Sequence, residues 1–133
     1  MKVVLIDTDV ISFLFKQDTR AELYRPHLHQ TLSLISFMTV AELNQWALIR
    51  NWGEPRKQSL AQHLTRHTLI PFDRDLCQVW AEIRYEAHSI GRKIETADAW
   101  IAATGRLYQV PLITHNRADF DWIKKLSIIS ETS

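Results

Sequence analysis

At 133 residues the chain has room for one domain, since domains run to roughly 100 to 200 residues. Hydrophobic residues make up 46% and charged residues 23%, which excludes disordered, collagenous and coiled-coil classes. Sixteen Lys and Arg oppose fifteen Asp and Glu for a net charge of +1, so any nucleic-acid contact must come from a local patch and not from a histone-like excess.

In chain order, Val3-Val4-Leu5-Ile6 is a short β-branched apolar run, the pattern of a central parallel strand covered on both faces. Similar runs follow at residues 32–36, 69–70, 111–114 and 127–129, and helices are predicted at 10–15, 19–29, 40–51, 55–66, 97–108 and 118–124. The clearest helix opens after Asp73, carries Leu76, Val79, Trp80, Ile83, Ala87 and Ile90 on one face, and stops at Gly91. Strands alternating with helices predict a three-layer α/β/α sandwich around a mainly parallel sheet. With three Gly, four Pro and no repeat, residues 1–133 read as a single domain. The apolar run before Asp7 is too short for a secretion signal, and no uncharged stretch reaches the roughly 18 residues of a spanning helix. The single cysteine, Cys77, excludes an internal disulfide, fits a reducing compartment such as the cytoplasm, and is expected to be a small buried hydrophobe.

The chemistry lies in four acids. Asp7 ends the first strand, and ligands of parallel α/β sheets bind beyond the strands' carboxyl ends. Thr39-Val40-Ala41-Glu42 matches the capping box, a reading that gives Glu42 a purely structural role. Asp98 and Asp119 each fall in the first turn of a predicted helix, where the helix dipole alone favours an acid. Together, however, all four would converge on one sheet edge. Clustered carboxylates share protons or bind a cation, and an all-oxygen set selects a hard ion, Mg²⁺ or Mn²⁺. Mg²⁺ held by a few carboxylates points to phosphoryl or phosphodiester chemistry.

The segments Val4-Leu5-Ile6-Asp7-Thr8-Asp9-Val10-Ile11, Thr39-Val40-Ala41-Glu42-Leu43, Thr96-Ala97-Asp98 through Thr104, and Leu112-Ile113-Thr114-His115-Asn116-Arg117-Ala118-Asp119-Phe120 resemble, in order and spacing, the PIN-domain endoribonucleases, specifically the VapC-like toxins of bacterial toxin-antitoxin pairs. That resemblance implies that Asp7, Glu42, Asp98 and Asp119 bind metal and carry catalysis, and that Thr114 and Asn116 support the pocket by hydrogen bonds. It also implies an RNA substrate, expected in loops of transfer or ribosomal RNA, cut to leave 5′-phosphate and 3′-hydroxyl ends, and a cognate antitoxin. Asp9 stands where the family often has Asn, adding charge among the supporting residues, and Trp100 where a smaller aliphatic residue is usual.

Asp7-Thr8-Asp9-Val10 also resembles the opening motif of haloacid-dehalogenase-like phosphatases, but the Gly-Asp pair that family needs is missing. A receiver-like domain would need a phosphorylated Asp after its third strand, and none is evident. A non-catalytic RNA-binding module is the alternative outside enzymes. Arg50, Arg56, Lys57 and Arg66 oppose one acid, Glu54, and are the candidate RNA-binding patch. His63 and His67 have zinc-compatible spacing without a third ligand and read as a solvated or RNA-facing surface. The apolar residues around Trp46, wider than one core contact needs, predict a homodimer. Trp46 itself, one turn after Glu42, is placed at the pocket rim, where a base or the antitoxin would dock.

Overall fold

The computed structural model describes residues 2–132. The chain runs β1 (Lys2–Ile6), α1 (Thr8–Lys16), α2 (Ala21–Leu28), β2 (Thr31–Ser36), α3 (Phe37–Ile49), α4 (Glu54–Leu64), β3 (Thr68–Ile70), α5 (Arg74–Ser89), α6 (Thr96–Tyr108), β4 (Leu112–Ile113), α7 (Arg117–Phe120) and β5 (Ile128–Ile129). The strands form one sheet in the order β3-β2-β1-β4-β5, and every pairing is parallel. The expected α/β/α sandwich is therefore present, with a sheet that is parallel throughout.

The continuous apolar run of β1 has a direct cause. Side chains of a strand alternate between faces, and both faces here are covered. Val4 and Ile6 pack with Val10, Ile11, Tyr24, Leu43 and Leu60 of α1 to α4. Leu5 lies in the opposite core with Leu76, Ile83, Ile101 and Phe120 of α5 to α7. Among the described residues no helix is long and apolar enough to cross a membrane.

Helix ends follow local chemistry. Asp73 caps α5 by accepting the Leu76 N–H at 2.8 Å. At the other end Gly91 takes φ +68°, and the N–H groups of Gly91 and Arg92 bond back to the carbonyls of His88 and Ala87, the paired closure that a left-handed residue allows. Two expectations on this helix fail. Ile90 occupies the C-cap, where the chain leaves the helical path, and is 65% exposed. Cys77 is exposed, because one residue after the buried Leu76 is a rotation of about 100° away from the core. Helix α7 is one turn long, shorter than predicted, and the Trp122 indole N–H donates to the Asp119 carbonyl at 2.9 Å beyond its end.

Helix α3 starts three residues before its predicted first position. Ser36, the last residue of β2, is its cap, accepting the Met38 N–H at 3.0 Å. Glu42 is thus the sixth helical residue, in the second turn, and the capping-box reading fails. The junction from β1 is built alike: Asp7 closes the ladder with its N–H on the Ile113 carbonyl at 2.9 Å and caps α1 with its side chain. Strand and helix abut without a loop at both places, which sets the starts of α1 and α3 side by side at the carboxyl edge of the sheet.

Candidate active site

Asp7 is almost fully buried, 5% exposed. Its Oδ1 accepts the Thr8 N–H at 2.8 Å and its Oδ2 accepts the Thr114 hydroxyl at 2.7 Å. Burial, then the charge of Asp9, raises the Asp7 carboxyl well above the usual carboxylate range, against the lowering effect of those two hydrogen bonds. Thr114 in turn accepts the Asn116 N–H at 3.0 Å, while the Asn116 side-chain amide and the His115 N–H both donate to Asp9 Oδ2, at 3.0 and 3.1 Å. The three supporting residues predicted from sequence, Thr114, Asn116 and Asp9, are therefore joined in one network. It ties the start of α1 to the loop after β4.

Glu42 reaches the same edge from α3. The Thr8 hydroxyl donates to its Oε1 at 2.8 Å and lies 3.0 Å from the Thr39 hydroxyl. Burial raises the Glu42 carboxyl too. From α6, Asp98 is half-buried, and its carboxyl is pushed up to about 6, first by burial and then by the charges of Asp119, Glu42, Glu95 and Asp9. Asp119 stands exposed at the rim in the first turn of α7.

The four predicted acids thus share one edge and repel one another. Among the described residues no three of them form a preformed ion cage. Their chemistry nevertheless suits a hard cation. All donors are oxygens, and the Asp7 and Glu42 carboxylates are each oriented by an N–H or hydroxyl, the support that metal-ligating carboxylates usually have. The mutual repulsion is the energy that a divalent ion would relieve. Asp7, Glu42, Asp98 and Asp119 are the residues that would hold it.

Sequence reading missed three contributors. Thr8 and Thr39 stand inside the two strand-end motifs but were not singled out, although a hydroxyl beside a strand-end acid is the available signal. Glu95, at the N-cap of α6, adds charge to Asp98. A fourth link is buried Tyr24, whose hydroxyl lies 2.5 Å from His115 Nδ1 and accepts the Glu131 N–H at 3.2 Å. It braces the loop that holds Asp9.

Arg50 and Arg56 are exposed on α3 and α4, Lys57 is paired with Glu54 at 2.8 Å, and exposed Arg66 follows α4. His63 and His67 are not a solvated surface: both Nε2 atoms are buried without a partner, and His67 Nδ1 lies 2.7 Å from the Ser33 hydroxyl. Trp46 is half-buried and packs on the core. Trp100 stacks on Trp80 with ring centroids 5.0 Å apart, and Phe37 packs edge-on against it.

Known proteins share this fold. The solved structure of VapBC2 from Rickettsia felis, bound to a DNA fragment from its promoter, contains a chain that superposes with a TM-score of 0.86 at 20% identity, covering 98% of this chain and 99% of that one. The VapC ribonuclease Y4jK of Sinorhizobium fredii is 30% identical over 90% of this chain and 91% of its own length. The toxin FitB of Neisseria gonorrhoeae is 28% identical over 89% and 91%. The sequence profile of the PIN domain matches residues 4–126, a span that holds all four convergent acids, and the chain belongs to the PIN domain family.

Proposed function

We propose that this chain is a ribonuclease and the toxin of a toxin-antitoxin pair, hydrolysing phosphodiester bonds in loops of transfer or ribosomal RNA with Mg²⁺ or Mn²⁺. The observation that carries the reading is the convergence of Asp7, Glu42, Asp98 and Asp119 on one sheet edge, where burial and mutual charge raise the Asp7 and Asp98 carboxyls. Relatives named as a ribonuclease and a toxin along nearly the whole chain support it, as do fold neighbours solved as toxin-antitoxin complexes, which support an antitoxin partner.

A bound divalent ion would supply Lewis acidity at the phosphate and an activated water. The chain's own residues supply position. Asp7 is fixed through both carboxylate oxygens, one to the Thr8 N–H and one to the Thr114 hydroxyl, so it presents its remaining lone pairs in one direction. Glu42 is oriented by the Thr8 hydroxyl, so a single residue aligns both acids. Asp9 is satisfied by His115 and Asn116 and acts as a brace. Loops are the favoured substrate because they expose unstacked bases and a bent backbone, which regular A-form duplex hides.

The test is to induce the chain in bacterial cells and map new 5′-phosphate ends across total RNA, against an Asp7→Asn control. New ends concentrated in loops of transfer or ribosomal RNA are expected. No new ends above the control would overturn the reading, and a dominant pattern of messenger-RNA sites would overturn the loop preference.

A further inference from the structure

We propose that Lys16, Arg50 and Arg56 form a phosphate-binding ridge that leads the backbone of single-stranded RNA away from the acidic edge, along the α1–α3 side of the molecule. The inference rests on the nuclease reading and adds where the substrate lies.

The two helices that start at the acids end at these cations. On α1, Asp9 and Lys16 are seven residues apart, about two turns, and so share a stripe with roughly 10 Å of rise between them. On α3, Glu42, Trp46 and the C-cap Arg50 follow at steps of four along a neighbouring stripe. The Arg50 guanidinium carbon sits 5.1 Å from the Trp46 ring centre. Helix α4 adds Arg56, 4.3 Å from the Trp52 ring centre and 5.7 Å from that of Phe15, which belongs to α1. Trp52 and Phe15 also pack together, 5.7 Å apart, so the three elements meet at this point.

The charges of the ridge lack a counter-ion. Arg20 and Arg25 are paired with Asp18 and Glu22, and half-buried Lys57 with Glu54. Among the described residues Lys16, Arg50 and Arg56 have no ion-pair partner, although all three are exposed. They also crowd one another. Burial first, and then the charges of Arg50 and Arg56, lower the Lys16 ammonium below its usual range. A bound polyanion removes that repulsion.

The geometry favours a phosphate backbone over a lone carboxylate. Arg50 and Arg56 are held over indole rings, so less side-chain freedom is lost when each forks onto a phosphate. The half-buried faces of Trp46 and Trp52 lie beside those cations, and aromatic surface next to a basic track is how single strands are held without sequence preference. Of the basic residues singled out from sequence, Lys57 is paired with Glu54, and Arg66, which lines the groove between α1 and α4 with Phe15 and His63, is not among the cations that crowd Lys16. Lys16 was not foreseen.

The test measures fluorescence anisotropy of a labelled single-stranded RNA of about a dozen nucleotides with the full chain in EDTA, across a salt series. The proteins compared are the parent, the Arg50→Gln/Arg56→Gln double variant, Lys16→Gln and Lys124→Gln, with cleavage of the same RNA in Mn²⁺ measured in parallel. The double variant is expected to bind at least about tenfold more weakly, with a salt slope smaller by about 1.4, two lost contacts at roughly 0.7 each for a single strand. Lys16→Gln, which disturbs no aromatic stack, should lose about 0.7, and Lys124→Gln nothing. An unchanged slope in the ridge variants, or an equal loss in Lys124→Gln, would overturn the ridge and leave the nuclease reading standing if the parent still cuts. A parent that binds with the predicted slope but never cuts would instead overturn the nuclease reading.

Discussion

The Thr8 hydroxyl donates to Glu42 Oε1 at 2.8 Å and so joins the first turn of α1 to the second turn of α3. The same residue's N–H holds Asp7. An acid at the end of β1 and one in the second turn of α3 are thereby aligned by one threonine. Replacing Thr8 with the isosteric Val keeps the N–H and removes the hydroxyl. Cleavage should fall by about 10- to 100-fold, the usual loss when a partner orienting a ligating group is removed. The melting temperature should fall modestly, because water can replace the hydroxyl at half-exposed Glu42 while the buried Thr39 hydroxyl loses a partner. Steady-state cleavage kinetics beside a melting curve check this, and undiminished cleavage would contradict the role given to Thr8.

Asp98 makes acidity a measurable property of the fold. Its folded-state carboxyl is raised to about 6 by burial and by the neighbouring acids, above the ordinary value near 3.9. The folded state therefore binds a proton there more tightly than the unfolded chain. This group's contribution is fully present below about pH 4 and is lost as pH rises through 6. Without metal, the parent should thus lose stability from pH 4 to 7 relative to Asp98→Asn, which lacks the titrating group. Millimolar Mg²⁺ or Mn²⁺ should raise the parent's melting temperature more at pH 7 than at pH 5. Melting curves at three pH values, with and without metal, read both effects. A metal-independent midpoint would remove the electrostatic argument for the site.

The apolar surplus on α3 is real but sits elsewhere than its central tryptophan. Leu48 and Ile49 are 70% and 71% exposed, whereas Trp46 packs on the core. If the chain pairs with a second copy through this helix, Ile49→Glu should shift it to monomer in sedimentation at micromolar concentration. Trp46→Ala should instead cost about 3 kcal/mol of stability. A parent that is already monomeric would contradict the expected homodimer.

What could be read from the sequence follows from the range of the forces involved. The strands were legible because a parallel sheet covered on both faces demands unbroken apolar runs, as in Val3 to Ile6. Three of the acids were legible because Asp7 stands at a strand end and Asp98 and Asp119 in first helical turns. The start of α3 was not. Ser36 and Thr39 are both competent caps, and only the end of β2 at Ser36 decides between them. That single difference turned Glu42 from a capping residue into a pocket residue. The link from Thr8 to Glu42 spans 34 positions, and the bracing of the loop at His115 by Tyr24 spans 91. No local pattern encodes either. Cys77 and Ile90 were misplaced for the opposite reason, since each lies one step outside an otherwise correctly read face.

The most direct test of the catalytic acid edge is one variant, Asp7→Asn, measured at pH 7 for RNA cleavage with Mg²⁺ or Mn²⁺ and for melting temperature without metal. Burial and Asp9 raise the Asp7 carboxyl, so its charge works against folding, and Asn keeps an oxygen for the Thr8 N–H. The account predicts no detectable cleavage together with a melting temperature at or above that of the parent. Cleavage at the parent's rate by a folded Asp7→Asn protein would contradict it.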